Sequence, residues 1–145
     1  MNPNGMPVLV GPAVLVPVAS TSVPAGFPSP AADSTEEGLD LTRRFVRNPP
    51  ATFVVRADGV SLTDIGIRSG DYLVVDRSRE ALDGDVVIAL CDGSFTAKIF
   101  RRRAGRITLQ AAHPAYPVIH WHHGCEIWGV VTSVHRDITT RSTSR

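Results

Sequence analysis

Lysine is almost missing from this chain. Of its 15 Lys and Arg residues, 14 are Arg, and Lys98 is the sole lysine. A guanidinium keeps its proton inside a protein, whereas a buried ammonium can give one up. Lys98 is therefore either a chance survivor of a composition that favours Arg or a residue kept for its proton. Positive charge is also absent from the first 42 residues, the first being Arg43. A secretory signal needs a basic start and an unbroken apolar run. Here Pro7 precedes the apolar stretch 8–19, and Pro12 and Pro17 interrupt it. Nowhere is there the run of about 20 apolar residues that a membrane span requires. Excess charge is lacking too, and a net charge of +1 excludes nucleic-acid binding driven by bulk electrostatics. Cysteine is scarce: Cys91 and Cys125 are too few for a disulfide framework and match no zinc spacing. They read as reduced thiols of a cytoplasmic protein.

What is present suits one domain behind an arm. With 145 residues a single core is expected. The prolines disfavour helix and favour an extended or polyproline-like arm over residues 1–39, with its turn-forming stretch 20–30 exposed. Leu39, Leu41, Phe45 and Val46 suit a short amphipathic helix over residues 40–47, ended by Asn48-Pro49-Pro50. Beyond it the apolar period becomes two. Strands are expected at residues 52–57, 71–76, 86–90, 95–100, 106–110, 118–121 and 127–134, separated by Gly and Asp turns. Asp92-Gly93 is the clearest hairpin turn. The expected fold is all-β: a compact domain over residues 40–138, with a disordered tail at 139–145.

Two side chains stand out chemically. In Phe95-Thr-Ala-Lys-Ile-Phe100, strand alternation sets Thr96, Lys98 and Phe100 on one face. The apolar neighbours suit a partly desolvated amine, and desolvation lowers a lysine pKa towards a usable base. Ser61 follows Asp58-Gly59, where a strand exit leaves backbone N–H groups free to stabilise an oxyanion. The plain structural alternatives are an edge-strand lysine that discourages aggregation and a serine favoured by a turn. His113, His120, His122, His123 and Cys125 invite a metal reading, with His120 and His122 sharing a strand face. No second ligand pair has structural-zinc spacing, so neither metal nor cofactor is expected. Arg101-Arg102-Arg103 reads as a solvated hairpin end, with contact to DNA, a recombinase filament or a polymerase as the alternative.

Four stretches share a resemblance. Ala25-Gly-Phe-Pro-Ser-Pro-Ala-Ala-Asp33 looks like the cleavage region of UmuD-type proteins, members of the LexA-like self-cleaving serine peptidases. Residues 51–76, from Ala51-Thr-Phe-Val-Val through Ser61 to Leu73-Val-Val-Asp76, resemble the family's nucleophile segment and the strand after it. Gly84-Asp-Val-Val-Ile-Ala to Asp92-Gly-Ser-Phe-Thr-Ala-Lys98 resembles the segment that carries its lysine. Ile127-Trp-Gly-Val-Val-Thr-Ser-Val134 resembles the closing strand. Together they run from Ala25 to Val134 in the family's order.

The resemblance implies Ser61 as nucleophile, Lys98 as general base and Ala25-Gly26 as the bond that is cut. Val60 and Leu62 flank Ser61 where the family usually shows Asp and Met; Leu for Met keeps volume and apolarity. The tether from Gly26 to Ser61 reaches roughly 100 Å when extended, so it limits cleavage neither within a chain nor between chains. With residues 1–25 too few and too Pro-rich for a helix-turn-helix, the resemblance favours the UmuD type over a LexA-like repressor. It then implies a role in the bacterial SOS DNA-damage response. A RecA–single-stranded DNA filament would stimulate self-cleavage, and the trimmed homodimer would join a UmuC-like translesion polymerase. Sequence-specific DNA binding and membrane association are not expected. The alternative is a non-catalytic regulatory module whose arm competes with a partner for one groove. A signal-peptidase-like Ser/Lys enzyme would normally carry a membrane anchor.

Overall fold

The computed structural model describes residues 11–19, 22–26 and 35–139, with only the backbone described at residues 35 and 36. Among them the strands are β1 (Leu15–Ala19), β2 (Thr35–Asp40), β3 (Thr52–Arg56), β4 (Tyr72–Asp76), β5 (Val86–Cys91), β6 (Ser94–Arg103), β7 (Arg106–Gln110), β8 (Ile119–His120) and β9 (Cys125–His135). One short α-helix, α1 (Leu41–Phe45), and a 3-10 turn at Pro49–Ala51 lie between β2 and β3. The expected all-β fold is what forms: β3 to β9 make one antiparallel sheet in the order β3-β4-β9-β5-β6-β7-β8.

The described part of the arm includes two extended strands that pair, a pairing not expected. β1 and β2 pair antiparallel as a separate two-stranded sheet. The register shifts between Val16 and Val18, so that Glu37 and Gly38 oppose Pro17 alone. Proline has no N–H to give to a ladder, and a bulge is where a strand tolerates one. Gly38 is needed there, because a Cβ at that position would lie 2.9 Å from the Leu15 Cβ. β2 runs through the expected boundary at residues 39 and 40. The helix is shorter than 40–47: Asp40 caps its start by accepting a hydrogen bond from the Arg43 N–H at 3.1 Å, and Val46 ends it, its N–H donating to the Thr42 carbonyl at 2.8 Å. Of the expected tail, residues 140–145 lie outside the described residues, as do residues 27–33 of the cleavage-like stretch.

In the main sheet, alternation sorts the core onto two faces. Leu73, Val75, Ile88 and Ile99 pack with Leu62 and Ile67 in one cluster. Val87, Ala89, Phe100, Leu109 and Val130 pack with Ala81 in the other. Asp92 and Gly93, at φ 51° and 82°, form the expected two-residue turn, with Cys91 paired to Ser94. Ala104-Gly105 makes a second such turn, at φ 49° and 76°, between β6 and β7. That turn had no Asn or Asp to announce it.

Candidate active site

The Ser61 turn is built from the loop between β3 and β4. The ends of this loop are clamped, the Ala57 N–H donating to the Asp71 carbonyl and the Gly70 N–H to the Ala57 carbonyl, both at 2.8 Å. Inside it, Leu62 and Ile67 are buried in the first core cluster, so Ser61 stands beside an anchored residue. The Leu62 side chain fills core volume, whereas Val60 remains 44% exposed. The Ser61 carbonyl accepts from the Ala112 N–H at 2.7 Å, and the Asp64 N–H donates to the Ala112 carbonyl at 3.0 Å. The segment after β7 thus holds the turn from the far side. Arg136, just past β9, closes the loop. Its Nε and Nη2 donate to the two carboxylate oxygens of buried Asp71, both at 2.7 Å, and Nη2 also donates to the Gly66 carbonyl. The Arg136 guanidinium holds the Asp71 carboxyl down from 3.8 to about 2, against the opposing effect of burial.

Lys98 comes from β6, the second strand of the Asp92-Gly93 hairpin, and is only 7% exposed. Its Nζ donates to Ser61 Oγ at 3.2 Å, to Thr96 Oγ1 at 2.9 Å and to the Ala97 carbonyl at 3.3 Å. The Tyr116 ring centroid lies 5.7 Å from Nζ. Among the described residues Lys98 forms no ion pair with a carboxylate. Burial accordingly lowers its pKa below the ordinary lysine value. Ser61 and Lys98 open onto a groove of about 310 Å³, with Gly59, Val60, Phe95 and Tyr116 also on its walls.

Ser61 and Lys98, 37 positions apart in sequence, are thus brought together. Ala25 and Gly26 are not brought to them. They sit exposed in a bend beyond β1, and the groove is lined by residues from 55 onwards. A hydroxyl hydrogen-bonded to a desolvated amine is the arrangement of a base-activated nucleophile. Residues 17–132 match the Peptidase S24-like family, a span that includes the Ala25-Gly26 pair, Ser61 and Lys98. The chain belongs to the S24-like peptidase family. Among its relatives it is 48% identical to Protein SamA of Salmonella typhimurium over 88% of each chain. It is 41% identical to Protein ImpA of the same species over 81% of each. With LexA repressor 1 of Nocardia farcinica it shares 40% identity, over 87% of this chain and 57% of the repressor. These matches make it a UmuD-type, LexA-like member of the S24-like peptidases.

Three residues around the pair were not singled out from the sequence of this S24-like peptidase. Thr96 was legible in principle, because alternation puts it on the Lys98 face. Tyr116 and Ala112 were not, since they arrive from a loop after β7. The histidine region departs from expectation: β8 ends at His120, and His122 lies in the following turn. There His122 Nε2 pairs with Asp92 at 3.4 Å, and its Nδ1 accepts from the Gly124 N–H. Among the described residues no cluster of three or more His, Cys, Asp or Glu could hold a metal ion. The Arg101-Arg102-Arg103 run converges on Asp83, which pairs with Arg101 and Arg103 and accepts from the Arg102 N–H. Among the described residues no helix is long and apolar enough to cross a membrane.

Proposed function

We propose that this S24-like peptidase cleaves its own arm between Ala25 and Gly26, with Ser61 as nucleophile and Lys98 as general base. The observation that carries this reading is the 3.2 Å contact between Lys98 Nζ and Ser61 Oγ, made by a buried amine whose pKa is lowered. Neutral Lys98 takes the Ser61 proton as Oγ attacks the Ala25 carbonyl carbon. The Val60 and Ser61 amides of the turn supply donors for the oxyanion. Collapse breaks the Ala25–Gly26 bond, and the Lys98 ammonium protonates the departing Gly26 amine. Water, deprotonated by Lys98, then hydrolyses the Ala25–Ser61 ester and restores both groups.

Ala25-Gly26 lies outside the groove, so cleavage requires the arm to dock. Docking is the step on which stimulation acts: a RecA–single-stranded DNA filament favours the docked arm, expels water from the groove and favours the neutral amine. The trimmed protein serves, as a cytoplasmic homodimer, as an accessory subunit of a UmuC-like translesion polymerase in the SOS response. Kinship to the UmuD-type relatives supports this wider role.

Intact-mass measurement on the purified chain, with and without an activated RecA filament, tests the reading. The expected product begins at Gly26 and is enriched by the filament. A chain that stays whole in both samples favours the non-catalytic module.

A further inference from the structure

Cys91 and Cys125 do not behave as two unrelated thiols. They are direct cross-strand partners at one end of the β5–β9 ladder. The Asp92 N–H donates to the Gly124 carbonyl at 2.9 Å, the bond that frames a pair without mutual backbone hydrogen bonds. Such pairs bring their Cα atoms to about 4.5 Å, the closest approach in an antiparallel ladder. That separation lies within the range a disulfide spans without backbone movement. The side chains already meet: the Cys91 thiol donates to Cys125 Sγ at 3.0 Å. Both residues are half-buried.

Both strand ends are also held in place. His122 pairs with Asp92 at 3.4 Å, and the Cys125 N–H donates to the His122 carbonyl at 3.0 Å. At Gly124 a Cβ would crowd the Asp92 carboxylate and the His122 ring. The two sulfurs are therefore held facing each other by the backbone, with the His122–Asp92 contact beside them.

We propose that Cys91 and Cys125 are a thiol–disulfide exchange site that closes into a cross-strand disulfide on reaction with a low-molecular-weight disulfide such as oxidised glutathione. The order of events follows from the hydrogen bond between them. The Cys91 thiol donates its hydrogen bond to Cys125 Sγ, and burial pushes it up to about 11, so Cys91 holds its proton until the closing step. Cys125 Sγ, giving its proton to solvent, bonds to one sulfur of the small disulfide, whose S–S bond breaks and releases one thiolate. Cys91 then loses its proton to that thiolate and attacks Cys125 Sγ, expelling the second small thiolate, which takes a proton back from solvent. Two protein thiols are oxidised, one small disulfide is reduced to two thiols, and both protons leave with them. The site is independent of Ser61 and Lys98.

The test equilibrates the full chain with glutathione buffers of increasing oxidised fraction, then blocks free thiols with iodoacetamide and measures intact mass. The expected wild-type product has lost two hydrogens, carries no carbamidomethyl group and reverts with excess reduced glutathione. Cys91→Ser lacks the closing thiol and should keep one glutathione on Cys125. Wild-type protein that keeps a stable glutathione adduct, or that alkylates at both cysteines in the most oxidising buffer, would overturn the proposal. So would a Cys91→Ser protein that forms no glutathione adduct in the oxidising buffers.

Discussion

Replacing Asp71 by Asn probes how the Ser61 loop is held. Asp71 is 2% exposed. It accepts two hydrogen bonds from Arg136, and its Oδ2 accepts a third from the Arg68 N–H at 2.7 Å. Its carboxyl falls from 3.8 to about 2, first through the Arg136 hydrogen bond. The folded carboxyl thus holds its proton less tightly than the unfolded one. The associated stability is fully present above the unfolded value and is lost as pH falls through the folded one. A drop of this size corresponds to roughly 2 kcal/mol at 1.36 kcal/mol per unit. Asn keeps the shape but removes the charge, leaving Arg136 with a weaker acceptor. Urea unfolding followed by tryptophan fluorescence should therefore find Asp71→Asn about 2–3 kcal/mol less stable near neutral pH. The gap should narrow to below about 1 kcal/mol by about pH 2, where about half of the folded wild-type carboxyls are protonated. Cleavage should slow as well, because the same arginine reaches the Gly66 carbonyl in the loop that carries Ser61. Equal stabilities at neutral pH, or a gap that stays constant down to acid, would refute this account of the loop.

The other predictions address the site and the assembly. Ser61→Ala should release no fragment beginning at Gly26 and should unfold within about 1 kcal/mol of wild type, since Lys98 retains Thr96 and the Ala97 carbonyl; persistent cutting would mean that another residue attacks. Filament-free cleavage should rise with pH and level off below the ordinary lysine value of about 10.4, because burial lowers the Lys98 pKa. Lys98→Arg should be inactive even in alkali, and a rate independent of pH would remove the lysine from the mechanism. Sedimentation should find a homodimer, and monomer alone at micromolar concentration would count against it. The Cys91–Cys125 disulfide, closing a loop across 34 positions, should stabilise the fold by about 4 kcal/mol on the chain-entropy estimate; coincident melting of the oxidised and reduced forms would contradict that.

Most of the main sheet was legible along the chain, because alternation and Gly or Asp turns are local signals. The Asp92-Gly93 turn and the β3–β4 and β5–β6 strands lie close to where the period of two put them. Lys98 was marked by being the only lysine, and Thr96, though not singled out, was legible from sharing its strand face. The pairing of β1 with β2 was not legible. The prolines pointed only to an extended arm, and a partner able to bulge around Pro17 at Glu37 and Gly38 let it pair. The Ala104-Gly105 turn escaped because alanine rarely adopts positive φ, and the ladder between β6 and β7 imposes it. Tertiary structure alone decided the meeting of Ser61 with Lys98, the Ala112 contact behind the turn, the Asp71–Arg136 clamp and the facing of Cys91 with Cys125. Each joins residues distant in sequence, and strand order and register, which follow from packing two core faces at once, determine which distant residues meet. The chain's own pattern determined the strands and the one lysine; the sheet determined that this lysine would be buried against a serine.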